Sequence, residues 1–397
     1  MSTHSVAAGR YAERIANAQA ALPAEDAYAL LLGAGADLQY LTGYGAHDSE
    51  RLTMLVVPAT GRATLVLPRL ELALGQSCTA GQAGLIDLAP WEETEDPITI
   101  VAARLDASDS RPEVQLGALG GTWGRLGGLL VSDRLFASFL LRLQAALPDA
   151  AFGLASTVTA PLRLTKDAEE IALLRKASLA ADRVVEQIAA GRLVGRTEAD
   201  VSKEVFDRLV AEGHDSAEFA IVASGPNGAS PHHQVGEKVI QSGEPIVLDI
   251  GGRLEGYWSD TTRTLWVTGD DDIRPTDEFT NLYGVLQQAQ AAQRAQVKPG
   301  VIPADLDAVG RDIIAQAGYG DNFIHRTGHG TGLDGHEDPY IVSSNDVPLV
   351  AGNVFSIEPG IYIEGRFGAR IEDQVACGPD GVDELNVSSH DLYVVRG

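Results

Sequence analysis

The stretch VLDIGGRLEGYWSDTTRT, residues 247 to 264, constrains the fold of this chain more than any other. Val, Leu, Ile, Tyr and Trp surround a glycine-rich turn, the pattern of two β-strands joined as a hairpin. Asp249 and Asp260 lie one in each strand, and a two-residue turn at Leu254-Glu255 sets them directly opposite each other. Opposed Cβ atoms are about 4.5–5.5 Å apart, where like charges are destabilising unless something compensates. The construction recurs in SIEPGIYIEGRFGARIED, where a hairpin centred on Gly365 sets Glu358 opposite Glu372. Either ribbon alone reads equally well as an edge with solvated acids. Together they offer four hard oxygen donors on rigid strands, which suit divalent cations, and carboxylates able to bridge allow two of them.

The segment HRTGHGTGLDGHEDP, residues 325 to 339, supplies His325, His329 and His336. The first two have the spacing of a helical zinc pair, but Gly328, Gly330 and Gly332 oppose a helix, so an extended loop with close backbone approach is expected. A surface loop with incidental histidines is the alternative. His232 and His233 follow SGPNGASP, a loop composition, and by themselves read as solvated. GGTWGRLGG, residues 120 to 128, lacks the lysine of a phosphate loop and reads as a turn; EETED, residues 92 to 96, reads as a solvated face rather than a calcium site. Cys377 reads as core packing.

At 397 residues the chain has room for two domains, and its 45% apolar and 21% charged content is that of a globular protein. A net charge of −25 repels phosphate backbones and anionic lipid, which argues against nucleic-acid and membrane-surface partners. Two widely separated cysteines, Cys78 and Cys377, fit no disulfide framework, and no apolar run suits a signal peptide or a membrane span, so a cytoplasmic protein is expected. Helix and strand patterns alternate over the first ~160 residues, from YAERIANAQAAL through AYALLLGAG to LTMLVVP and ATLVLP. Past a seam near Pro161, amphipathic helices starting at Asp167 and Thr197 precede strand-rich segments and a helix near residues 276 to 296. In the second of these helices Val201, Val205, Phe206 and Leu209 are read as one apolar stripe. The whole reads as α+β.

Asp249, Asp260, His329, Glu358 and Glu372, in that order, resemble the ligands of the pita-bread metallopeptidases: prolidase, aminopeptidase P and methionine aminopeptidase. The resemblance rests on VLDIGGRLEGYWSDTTRT, HRTGHGTGLDGHE, SIEPGIY and ARIED, with ASGPNGASPHH as a fifth block. It implies a pita-bread catalytic domain over residues 161 to 397, after a smaller α/β domain over residues 1 to 160 similar to the creatinase-type N-terminal domain. Methionine aminopeptidase lacks that first domain, and creatinase lacks the complete ligand set. By position, the resemblance implies two metals bridged by Asp260 and Glu372, with Asp249 completing one site and His329 and Glu358 the other. It further implies that His232 and His336 contact substrate and the reacting carbonyl oxygen, that Arg370 meets a substrate carboxylate, and that His325 lies at the pocket rim.

Two cations in such a site make hydroxide available near neutral pH and polarise a scissile carbonyl. The resemblance implies attack before a proline nitrogen, with His232 or His336 donating to the oxyanion and Glu358 passing the proton to the leaving nitrogen. The expected activity is Xaa-Pro dipeptidase. Xaa-Pro aminopeptidase on longer peptides is the alternative, followed by hydrolysis of a small non-peptide C–N bond or a non-catalytic binding module. Two divalent ions are expected as cofactors, manganese ahead of cobalt, zinc or iron, and a small peptide with proline second as substrate. A homodimer is expected, in which HDSER, residues 47 to 51, is either a cross-subunit element or a solvated loop.

Overall fold

The computed structural model describes residues 3–106, 128–270 and 272–396, in two compact units, Met1–Arg163 and Leu164–Gly397. The first unit contains a six-stranded mixed sheet of β1 (Ala27–Gly33), β2 (Met54–Pro58), β3 (Thr64–Pro68), β4 (Asp87–Trp91), β5 (Gly128–Val131) and β6 (Ala151–Leu154). Their order across the sheet is β4-β3-β2-β1-β5-β6. Continuous apolar runs such as AYALLLG are buried along their full length, as expected of strands covered on both faces. Tyr28, Leu31, Met54 and Val66 pack with Ile98, Val101 and Leu105 of the helix Pro97–Asp106. In the EETED run, Glu92, Glu93 and Asp96 pair with Arg69, Arg51 and Arg142 on the surface. The GGTWGRLGG segment lies outside the described residues except for Gly128, which opens β5.

In the second unit, β7 (Ser216–Ser224), β8 (Glu244–Leu254), β9 (Tyr257–Val267) and β17 (Tyr393–Val395) form one sheet, ordered β17-β9-β8-β7. Alternation decides its two faces. Ile246, Leu248, Ile250, Leu265 and Val267 point to one side, where they meet the helices Ala168–Ala189 and Glu198–Ala211. Both helices start in capping boxes, Asp167 with Glu170 and Thr197 with Asp200. Val201, Val205 and Leu209 are buried in that layer. Phe206 leaves the expected stripe and is 37% exposed, because it lies about 100° around the helix from Val205.

The β8–β9 register differs by two residues from expectation: Leu254 pairs with Tyr257, Asp249 faces Thr262, and Asp260 faces Gly251. The turn is Glu255-Gly256, both at positive φ (52° and 85°), the backbone shape of a tight hairpin with the handedness strands prefer. A two-residue shift preserves the face, so Asp249 and Asp260 remain on the same side as diagonal neighbours rather than directly opposed.

The second ribbon keeps its expected register. Within β13 (Gly360–Ile363) and β14 (Phe367–Arg370), Gly360 pairs with Arg370. The same register continues where Ile357, closing β12 (Val354–Ile357), pairs with Asp373, opening β15 (Asp373–Cys377). Glu358 and Glu372 fall in the gap between the two ladders. A five-stranded sheet, ordered β11-β10-β12-β15-β16, adds β10 (Gly328–Gly330), β11 (Glu337–Ile341) and β16 (Val382–Glu384). The HRTGHG run is extended, as expected, with Gly328–Gly330 forming a short strand, and a Cβ at Gly328 would collide with the Ser356 carbonyl oxygen. The helix Pro303–Gln316 was not anticipated from sequence. Cys377 packs in the core with Phe355, Ile357 and Val375, and both cysteines are free and buried.

Leu209→Ala is expected to cost about 2–5 kcal/mol in urea unfolding, the range for emptying a buried leucine site. Phe206→Ala should cost about 1 kcal/mol or less, as befits a half-exposed side chain; equal losses would contradict the assignment of the helix face.

Candidate metal centre

Five elements bring the predicted acids and histidine together. Asp249 comes from β8, Asp260 from β9, His329 from β10, Glu358 from the residue after β12, and Glu372 from the residue before β15. Three overlapping donor sets have their ligand atoms within 4.8 Å of one another: Asp249, Asp260 and Glu372; His329, Glu358 and Glu372; and Asp260, His329 and His336. His329 Nε2 lies 3.3 Å from Glu358 Oε1 and 3.6 Å from Asp260 Oδ2. Its Nδ1 lies 3.2 Å from the Gly330 carbonyl oxygen. A carbonyl only accepts, so Nδ1 carries the proton and the Nε2 lone pair faces the acids.

The electrostatics ask for positive charge. Burial, reinforced by Asp249 and Glu358, raises Asp260 well above the usual carboxylate range. Glu372 is raised in the same way by burial and by Asp260. Burial pushes Glu358 up to about 7, with Asp249 adding to the effect and Arg370 opposing it. Burial lowers His329 to about 3, so its imidazole is neutral and available as a ligand. Asp249 Oδ1 is buried without a hydrogen-bond partner. Such an atom in a native interior needs an explanation, and a divalent cation supplies one. Carboxylate oxygens with a single imidazole are ligands suited to first-row divalent ions.

A second layer holds these donors, and sequence reasoning missed most of it. Thr262 Oγ1 donates to Glu372 Oε2 at 2.7 Å and accepts from Arg370 Nε at 3.1 Å. Ser356 Oγ bonds Glu358 Oε1 at 3.2 Å and accepts the His329 amide at 3.0 Å. Tyr362 Oη accepts from Arg370 Nη1 at 2.8 Å. The correct register exposes Thr262 at once, since it faces Asp249 and lies two residues from Asp260.

The remaining predicted residues fall into three situations. Arg370 is not an open clamp: it is 3% exposed, and its three nitrogens engage Asp249, Tyr362 and Thr262. His325 is also occupied at both nitrogens, by the Arg326 carbonyl at 2.7 Å and Tyr362 Oη at 2.9 Å. His336, exposed, has its ring 3.8 Å from that of His329. His232 is exposed on the loop after Gly225–Ala229, near enough for its charge to oppose protonation of His325 and His336. That loop is anchored through buried Glu198, which accepts from Ser224, Asn227 and His233.

Carboxylates from two β-ribbons and a neutral histidine from β10, gathered in overlapping sets, make up a metal centre of the kind that metal-dependent hydrolases use. The family model for metallopeptidase family M24 matches residues 172–379, and that for the creatinase/prolidase N-terminal domain matches residues 14–165. The chain belongs to metallopeptidase family M24, and the α+β pita-bread fold expected from sequence stands. It is 42% identical to a probable dipeptidase PepE of Mycobacterium tuberculosis, over 97% of this chain and 96% of the relative. It is 33% identical to an Xaa-Pro dipeptidase of Lactobacillus helveticus, over 90% and 92%. The crystal structure of dipeptidase PepE from Mycobacterium ulcerans superposes with a TM-score of 0.86 at 43% identity, covering 98% of this chain and 99% of that one.

Loading chelator-stripped protein with Mn2+ should raise its melting temperature, because an ion that binds only the folded state stabilises it. Asp260→Asn and Glu372→Gln should abolish that rise with little change in the melting temperature of the metal-free protein, since burial already disfavours the charged form of each carboxylate and the amide keeps an oxygen that accepts a hydrogen bond. Differential scanning fluorimetry on the stripped and loaded forms reads both effects.

Proposed function

We propose that this chain is a cytoplasmic, homodimeric Xaa-Pro dipeptidase using two divalent cations, manganese foremost. The observation that carries the reading is the pair of overlapping donor sets in which Glu372 joins Asp249 and Asp260 on one side to His329 and Glu358 on the other. Asp249, Asp260, His329, Glu358 and Glu372 would hold the ions. Bound there, the ions would polarise a scissile carbonyl and lower the pKa of water. The names of the M. tuberculosis and L. helveticus relatives support a dipeptide substrate with proline second, and two buried unpaired cysteines suit a reducing compartment.

The chain's own groups supply the rest. His336 and His232 donate to the carbonyl oxygen as negative charge develops there. A prolyl nitrogen must gain a proton to leave, and Glu358, a carboxylate among the converging donors, would take that proton from the attacking water and pass it on. Arg370 positions Asp249 and, through Thr262, Glu372.

One observation favours a second reading, Xaa-Pro aminopeptidase. The arginine expected to capture a dipeptide's terminal carboxylate is already bound to Asp249. Assays with Ala-Pro and Ala-Pro-Ala in the presence of Mn2+ or Co2+ separate the two. Turnover of Ala-Pro at least about tenfold faster in kcat/KM, equivalent to about 1.4 kcal/mol of transition-state binding, is expected. Preference for the tripeptide would establish the aminopeptidase reading, and turnover of neither would leave a different C–N hydrolase or a binding role.

A further inference from the structure

We propose that Arg326 is a positioning residue that sets the tautomers of the two histidines flanking the metal centre, His325 through its carbonyl and His336 through its guanidinium. The value of this for catalysis rests on the reading of His336 as a donor to the substrate carbonyl.

Arg326 stands between His325 and β10, with its guanidinium 4.5 Å above the Tyr340 ring. Its Nη2 is 3.3 Å from His336 Nδ1. A guanidinium has only donors and keeps its charge in proteins, so Nδ1 accepts. A neutral imidazole has one ring proton, which therefore sits on His336 Nε2. Among the described residues no carboxylate forms an ion pair with Arg326, whereas Arg311 and Arg366 are paired with Asp307 and Glu278. Its donors are not spent elsewhere on acids.

The backbone of the same residue makes the opposite choice for the other ring. His325 Nδ1 lies 2.7 Å from the Arg326 carbonyl oxygen and must donate to it. His325 Nε2 then accepts from the Tyr362 hydroxyl at 2.9 Å, and Tyr362 in turn accepts from Arg370 Nη1. Every proton in that row has one direction, from Arg370 through Tyr362 and His325 to the Arg326 carbonyl.

The position of His336 does not depend on Arg326. Its loop is tied to β9 by Trp258, whose amide and Nε1 donate to the Gly332 and Leu333 carbonyls at 2.9 and 3.1 Å. On the far side Glu337 is ion-paired with buried Lys166 at 2.6 Å. Arg326 therefore decides which nitrogen of an already placed ring carries the proton. With Nε2–H, His336 offers a donor to a developing oxyanion; with Nδ1–H it would offer a lone pair, which repels that oxygen.

Long-range 1H–15N NMR of 15N-histidine-labelled protein, metal-free and zinc-loaded, reads the tautomers, with signals assigned by His336→Gln and His325→Gln. Wild type should show Nε2–H at His336 and Nδ1–H at His325. Arg326→Met should shift His336 toward Nδ1–H and lower kcat on Ala-Pro by about 10- to 100-fold, part of what an oxyanion donor is worth, with KM changed less than about threefold. Arg326→Lys, whose ammonium also only donates, should restore the Nε2–H signal and most of the rate. Nδ1–H at His336 or Nε2–H at His325 in wild type, or an unchanged His336 tautomer in Arg326→Met, would overturn the proposal. If wild type cleaves no Xaa-Pro peptide, the substrate reading fails separately and the nitrogen signals alone decide.

Discussion

Everything at this centre depends on the point where the two acid-bearing ribbons cross. There the Glu372 amide donates to the Thr262 carbonyl at 3.0 Å, while the Thr262 hydroxyl donates to the Glu372 carboxylate. The pair is an isolated bridge belonging to no longer ladder. It brings a residue from late in the chain beside Asp260. One residue on, fully buried Arg263 grips the junction from behind, donating to the Thr262 and Glu372 carbonyls and to Asp373. Losing one partner of such a buried pair is far costlier than the pair is worth in net stability, so the crossing has one low-energy arrangement.

The two faces of the β8–β9 hairpin divide the labour. Apolar residues on one side lock the strands to the helices, and that packing holds the strands still while the other side gathers acids at a cost in repulsion. Donors carried by strands rather than loops keep their geometry without help from the ion. His329 follows the same logic: its amide is held by Ser356 and its Nδ1 by a backbone carbonyl, so its ligand atom is aimed by covalent geometry and hydrogen bonds.

Much of this was legible in the residues. The acids, the histidine loop and the helix starts follow from period, spacing and capping chemistry, and the second ribbon's register is as expected because Gly365, at φ 72°, marks its turn. The first hairpin slipped because its turn places a glutamate, Glu255, in the left-handed region, which no sequence rule favours. Strand alternation rescued the functional conclusion, since two residues are one full period. What could not be read were partnerships across long separations: Thr262 with Arg370, Tyr362 with His325, and Glu198 with the loop bearing His232. Charge and size say that such residues need partners but do not say which.

The hairpin also has a grammar of parity. Asp249 and Asp260 share a side because each lies an odd number of steps from the pair closing the turn, Leu254 and Tyr257. Lengthening the loop beyond that pair leaves both acids where they are, while a lone insertion between Asp249 and Leu254 would swing Asp249 in among the helices. Between the acids and the turn, then, the stem of this ribbon keeps its chemistry only when its length changes by twos.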